Sequence, residues 1–125
     1  MKRSSPVVYD NTRRRTQGTG GQMLLDIEKT DAPRGFRLVG ELDASNVTSL
    51  SDALQPEIER GGDLTLDLAG LAFMDSTGIQ VLVRTAQGLE GRGDLILVSP
   101  GSLVRRILEL IPVQKLDNVR IVGEE

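Results

Sequence analysis

The chain has no cysteine and no histidine. Without cysteine there are no disulfides, no thiol nucleophile and no thiolate metal site, which fits a reducing compartment. Without histidine, a Ser-His-Asp triad, an imidazole general base and His-ligated zinc are excluded. Aromatic residues make up 2% of the sequence: Tyr9, Phe36 and Phe73. The core must be aliphatic, and a base-stacking nucleic-acid platform is not expected. No apolar run nears the roughly 18 residues that suggest a membrane span. The N-terminus lacks the apolar stretch of a signal peptide. The expected location is the cytoplasm.

What is present suffices for one domain: 125 residues, 38% of them hydrophobic. The net charge of −3 is unevenly placed. Residues 1–22 carry Lys2, Arg3, Arg13, Arg14 and Arg15 against Asp10. The remainder has ten basic and seventeen acidic side chains. An acidic body argues against nucleic-acid binding by the folded part and suits a partner with basic patches. Residues 1–22, rich in Ser, Thr, Gly and Arg, read as a flexible basic arm, and 23–125 as the folded domain. The three consecutive arginines can meet nucleic acid or anionic lipid, or simply be solvated.

The informative stretch is Leu64 to Gly78, LTLDLAGLAFMDSTG. Leu64, Leu66 and Leu68 alternate with Thr65 and Asp67, a strand with one apolar face. From Ile79 the period changes: Ile79, Leu82, Val83 and Ala86 share one face of a helix. The spacing places a loop over 69–75 and delivers Asp75-Ser76-Thr77-Gly78 to the helix start. Asp75 or Ser76 can cap that helix by accepting from its free amides. Gly78 lets something approach the backbone closely. A helix N-terminus also stabilises an anion, including a phosphate on the protein itself. Ser76 thus reads either as a cap or as a phosphorylatable hydroxyl.

In chain order, Met23–Lys29 is a strand, Asp31–Gly35 a turn and Phe36–Val39 a second strand, pairing as a hairpin. Gly40-Glu41-Leu42-Asp43 closes it, and Asp43 or Ser45 can start a helix. Val47, Leu50, Leu54 and Ile58 repeat at helical spacing; Pro56 predicts a kink or an end near Gln55. Gly61-Gly62 stops the segment. After the central strand and the helix over 76–89, Leu95–Val98 reads as a strand buried on both faces. Ser99 and Pro100 suit the start of a third helix with Leu103, Val104, Ile107, Leu108 and Ile111 as its apolar stripe, ended by Pro112. Val119–Val122 is a last strand. The order β-β-α-β-α-β-α-β predicts an α/β fold with a mixed, mostly parallel sheet of about five strands flanked by helices.

Enzymatic motifs are missing. There is no Gly-x-x-x-x-Gly-Lys-Ser/Thr loop, no Gly-x-Gly-x-x-Gly after a strand and no Gly-x-Ser-x-Gly elbow. Asp67 resembles a phospho-accepting strand-end aspartate only in position, without the acid cluster and lysine such a site needs. Asp67 and Asp75 could pair on magnesium, but single acids at strand ends and caps are commoner. No catalytic residue, metal or cofactor is expected.

Three blocks resemble a known family in order and spacing: Gly40-Glu41-Leu42-Asp43; Leu66-Asp67-Leu68 with Phe73-Met74-Asp75-Ser76-Thr77-Gly78; and Ser102 to Leu110, SLVRRILEL. From about Met23 to Gly123 the chain resembles a STAS domain, the module of bacterial anti-sigma factor antagonists. The resemblance implies a STAS-like fold and a partner that is an anti-sigma factor with serine kinase activity, which the antagonist binds to free a sigma factor. It implies phosphorylation at Ser76, with Thr77 the second choice, release of the partner, and resetting by a serine phosphatase. It implies a partner-binding surface of Gly40, Glu41, Asp43, Asp75, Ser76, Thr77 and Gly78. Asp75 is then a kinase-recognition residue or only a cap, and Asp43 reads first as a cap. The alternative is an unswitched STAS scaffold or nucleotide-binding module in a signalling complex. The basic arm is extra to the module.

Overall fold

The computed structural model describes residues 14–16, 24–111 and 113–123. Its elements are β1 (Arg14–Thr16), β2 (Leu25–Asp31), β3 (Arg34–Leu42), α1 (Val47–Arg60), β4 (Leu64–Met74), α2 (Ser76–Leu89), β5 (Leu95–Val98), α3 (Ser102–Leu110), a 3-10 turn (Val113–Lys115) and β6 (Val119–Val122). The strands form one sheet in the order β1-β2-β3-β4-β5-β6. Pairing is antiparallel from β1 to β3 and parallel from β3 to β6. This is the α/β architecture and the mixed, mostly parallel sheet read from the sequence.

The count of about five strands omits β1. Three residues within the segment read as an arm pair through their backbone with Leu25–Ile27. An open strand edge offers amides and carbonyls to any extended segment, so no apolar pattern announces such pairing. The remainder of 1–22, with Val7-Val8-Tyr9, and Met23 lie outside the described residues.

Strands β3 to β6 lie side by side in chain order, so right-handed crossovers put all three helices on one face of the sheet. Burial agrees. Leu25, Ile27, Leu38, Leu64, Leu66, Leu68, Leu95 and Leu97 are fully buried on the helix side. The expectation that Leu95–Val98 is buried on both faces fails for this reason: Ile96 and Val98 face the uncovered side and are half-buried. Leu50 and Leu54 of α1, Leu82, Ala86 and Leu89 of α2, and Val104 and Leu108 of α3 complete a core that is aliphatic apart from Phe36 of β3.

Both strands that lead to the motif are longer than their patterns suggest. β3 continues through Gly40-Glu41-Leu42, and β4 continues through Ala69–Met74, where a loop is expected. The two extensions pair with each other: Val39 with Gly70, Gly40 with Leu71, Glu41 with Phe73 and Leu42 with Met74. Two register shifts, between Arg37 and Val39 and between Gly40 and Glu41, break the alternation a sequence pattern relies on. Burial of Leu42, Leu71 and Met74 holds the extensions on the core.

Helix α1 runs through Pro56 without ending near Gln55. Pro56 is exposed, so the carbonyl it leaves without an amide partner belongs to the water-facing side, at exposed Asp52. Beyond it Glu57, 6% exposed, accepts from Lys29 Nζ of β2 at 2.5 Å and Arg34 Nη1 of β3 at 2.6 Å. This ion cluster clamps the last turn to the hairpin. Gly61 closes the helix, its amide donating to the carbonyls of Glu57 and Ile58. The start of α3 also differs from expectation. Gly101, not Ser99, stands at the N-cap position, and Ser99 instead ties the end of β5 to β6, its amide donating to the Val122 carbonyl at 2.8 Å. Leu103 and Ile111 of the expected apolar stripe are exposed, and Pro112 lies outside the described residues.

Candidate functional site

The site grows from the paired ends of β3 and β4. Leu42 and Met74 are opposite each other in parallel register. The chain then turns differently on each strand. After β4 it enters α2 directly, with Asp75 at the N-cap. After β3 it makes a tight turn over 43–46 before α1. The Asp75 amide donates to the Leu42 carbonyl at 3.1 Å, and the Ala44 amide lies close enough to the Asp75 carboxylate to help lower its pKa. Two segments about thirty residues apart in sequence thus form one edge, at the carboxyl end of the sheet where such folds place their binding surfaces.

Asp75 is the cap, which decides between the two candidates. Its Oδ1 accepts from the Thr77 amide at 2.9 Å, the Gly78 amide at 3.3 Å and the Thr77 hydroxyl at 2.5 Å. Burial works against its charge, but these bonds and the Ala44 amide outweigh it and hold the carboxyl below its usual range. Asp75 is therefore an anion at neutral pH.

Ser76 occupies the first helical position and is exposed. Its hydroxyl has no hydrogen-bond partner among the described residues. Thr77 differs: it is half-buried, and its hydroxyl is committed to Asp75. Gly78 is buried, and the close approach expected there comes from within the domain. A Cβ at Gly78 would meet Met74 Cγ at 2.7 Å and Leu42 Cδ2 at 2.8 Å. The glycine lets the first turn of α2 sit directly on the strand ends.

The neighbouring turn is equally built. Gly40 has a φ of 118°, and a Cβ there would lie 2.1 Å from the Leu24 carbonyl oxygen. Asp43 does not cap α1; its Oδ1 accepts from the Ser45 amide at 2.9 Å and hydroxyl at 2.6 Å. Asn46 holds the N-cap position without a side-chain cap. It is 1% exposed, accepting from the Asp43 amide through Oδ1 at 3.0 Å and donating through Nδ2 to the Glu41 carbonyl at 2.8 Å. Glu41 and Asp43 thus flank Leu42, whose carbonyl meets the Asp75 amide, whereas Gly40 lies farther back, opposite Leu71 and against Leu24. Gly40, Glu41, Asp43, Asp75 and Thr77 are half-buried and Ser76 is exposed.

Sequence reasoning misses Asn46, the pin of this turn, and the face of α2 below Ser76. Ser76, Gln80, Arg84 and Gln87 recur at helical spacing and line an open groove of about 380 Å³ with Ile79, Val83 and, from beyond α3, Ile111. Spacing of the polar residues from Ser76 onward carries that signal; only the apolar half of the pattern is counted in placing the helix.

The magnesium pairing of Asp67 and Asp75 does not form. Both belong to the β4 line, eight positions apart, roughly 25 Å of extended chain. Asp67 instead faces Arg37 at 3.5 Å. Among the described residues no three acidic side chains come together as a metal site. No described helix is long and apolar enough to cross a membrane.

Comparison with known proteins agrees with this geometry. The STAS domain profile matches residues 25–121. The anti-sigma-B factor antagonist of Bacillus subtilis is 26% identical over 95 residues, covering 76% of this chain and 85% of its own length. That of Staphylococcus aureus is 29% identical over 101 residues, covering 78% and 94%. Among solved structures, an anti-sigma factor antagonist from Mycobacterium paratuberculosis superimposes with a TM-score of 0.67 at 22% identity, covering 79% of this chain and 86% of that one. The antagonist SpoIIAA in its unphosphorylated form gives 0.61 at 22% identity, covering 73% and 78%.

Proposed function

The chain belongs to the STAS domain family, and from that premise we propose that it is an anti-sigma factor antagonist switched off by phosphorylation of Ser76. Unmodified, it binds an anti-sigma factor that is also a serine kinase, and so frees a sigma factor. The kinase transfers a phosphoryl group to Ser76, the complex dissociates, and a serine phosphatase restores the hydroxyl. The function is one of binding, with the chemistry supplied by the partners. Relatives described as anti-sigma-B factor antagonists support the class of partner.

The observation that carries the switch is the exposed, uncommitted hydroxyl of Ser76 beside the ionised carboxylate of Asp75, whose Oδ1 is committed to the cap. A phosphate adds about −1.5 to −2 charges at neutral pH. The amides at the start of α2 offset part of that charge, so the domain itself tolerates it. In a docked interface the same phosphate would sit dehydrated next to Asp75, two anions without a counter-charge. Burying such a pair costs several kcal/mol at order of magnitude. Binding is lost while the fold remains.

Binding of the full chain to its host's anti-sigma factor tests this. Ser76→Ala stays bound in the presence of active kinase and ATP, whereas wild type is released. Ser76→Glu binds at least tenfold more weakly without any kinase. Wild-type affinity in both variants, with release still dependent on ATP, would move the switch elsewhere.

A further inference from the structure

The surface that continues from Ser76 down α2 carries a charge without a partner. Arg84 lies two turns below Ser76, about 12 Å along the helix. It is exposed, and no described residue gives it an ion pair or hydrogen bond. Most other arginines of the body are engaged: Arg34 and Arg60 with Glu57, Arg37 with Asp67, Arg92 with three carbonyls, Arg105 with the Gly123 carbonyl and Arg120 with Asp94. Arg106 of α3 is likewise exposed and bare among the described residues, but it lines neither groove along α2. Arg84 also lines both grooves that flank α2. One is the 380 Å³ groove that begins at Ser76; the other, about 270 Å³, lies between α1 and α2. Neither groove is lined by a single acidic residue.

The groove from Ser76 is polar at both ends and apolar between. Val83 and Ile79 of α2 face Ile111, which is 41% exposed. Leu110 beside it is 74% exposed, the most exposed large apolar side chain among the described residues. An occupant must bring an aliphatic side chain for the middle and an anion for Arg84. Arg84 is bare at one end of a concave, partly apolar groove lined by no acidic residue, so a carboxylate brought from outside would complement it.

We propose that the partner's docking segment lies along this groove, setting an aliphatic side chain against Val83 and Ile111 and a carboxylate on Arg84. The inference rests on the anti-sigma factor reading and deepens it: Arg84 supplies affinity at one end of the groove, and Ser76 gates the other. Desolvated, hydrogen-bonded charge pairs at interfaces lose at least about 30-fold in affinity when one partner is truncated. The two ends act separately, because 12 Å exceeds the roughly 8 Å screening length at physiological salt.

The test titrates the host's anti-sigma factor against the full chain with Ser76 unmodified. Arg84→Ala is expected to bind about 30-fold more weakly and Arg84→Glu at least 100-fold, with unchanged thermal midpoints. Arg106→Glu changes the net charge equally on α3, from an exposed arginine outside the groove, and is expected to bind within threefold of wild type. Wild-type affinity in Arg84→Glu overturns the groove assignment and leaves the antagonist reading intact. Equal weakening by Arg106→Glu also overturns it, since the effect would then be one of net charge. Failure of the wild-type chain to bind any anti-sigma factor of its host overturns both.

Discussion

Thr77 donates its hydroxyl to Asp75 Oδ1 at 2.5 Å, across the serine that separates them. That bond divides two adjacent hydroxyls into different roles. Thr77 is fastened into the cap, and Ser76 stands clear of it. Thr77→Ala should therefore leave phosphorylation of Ser76 intact while destabilising the fold by about 1 kcal/mol through the lost hydrogen bond. Kinase assay with peptide mapping, together with urea unfolding, checks both parts.

Asp75→Ala removes the acceptor of three intramotif bonds. A lost N-cap costs about 1–2 kcal/mol. The pH sign follows from the lowered pKa. The ionised cap stabilises the fold fully above the ordinary aspartate value near ~3.9, and that contribution is lost as pH falls through the lower folded value. Urea midpoints of wild type and variant should converge in acid, separate as pH rises towards 4–5 and stay apart above it by about one cap's worth of stability.

Gly78→Ala would improve helix propensity by about 1 kcal/mol in open space. Here its methyl would lie 2.7 Å from Met74 Cγ and 2.8 Å from Leu42 Cδ2, both on fully buried side chains. Overpacking of this kind costs about 1–3 kcal/mol. The expected outcome is a net loss of roughly 1 kcal/mol, with weakened partner binding because the two strand ends are pushed apart. A variant more stable than wild type in urea would show that the contact relaxes freely.

Pro56 and Glu57 make opposite predictions side by side. Pro56→Ala restores an amide to an exposed helix interior and should stabilise by about 1–2 kcal/mol, less than the full propensity difference because proline also restricts the unfolded chain. Glu57→Gln strips the counter-charge from Lys29 and Arg34, whose side chains are 29% and 20% exposed. Partial hydration softens that loss to about 1–3 kcal/mol. Burial raises the Glu57 pKa, but bonds from Lys29 and Arg34 outweigh it and leave it lowered. Its contribution is therefore present above the ordinary glutamate value near ~4.3 and fades as pH falls through the lower folded value. Wild type should lose stability on acidification more steeply than Glu57→Gln.

Legibility in the sequence tracked how local the cause was. Helix α2 begins and ends where its period says, at Ser76 and Leu89, because an N-cap and an apolar stripe are both local signals. The last two strands are equally plain. The extension of β4 to Met74 was not legible, since it depends on pairing with the end of β3 through two register shifts. The continuity of α1 past Pro56 depends on Lys29 and Arg34, far away in sequence. At the candidate site, the resemblance already grouped the motif with Gly40, Glu41 and Asp43; the physical means of joining the two segments, the Leu42–Met74 register, was not legible. The resemblance already ranked Ser76 above Thr77; the physical ground for that order, the Thr77 hydroxyl committed to Asp75, needed side-chain geometry.

The most direct test is intact-mass and peptide mass spectrometry on the protein isolated from its own cells, in growth and under stress. The account predicts a single phosphate localised to Ser76, its occupancy changing between the two conditions, with Thr77 unmodified. An unmodified Ser76 in both conditions would contradict the switch, reduce that serine to a first-turn helix residue and favour an unswitched STAS scaffold.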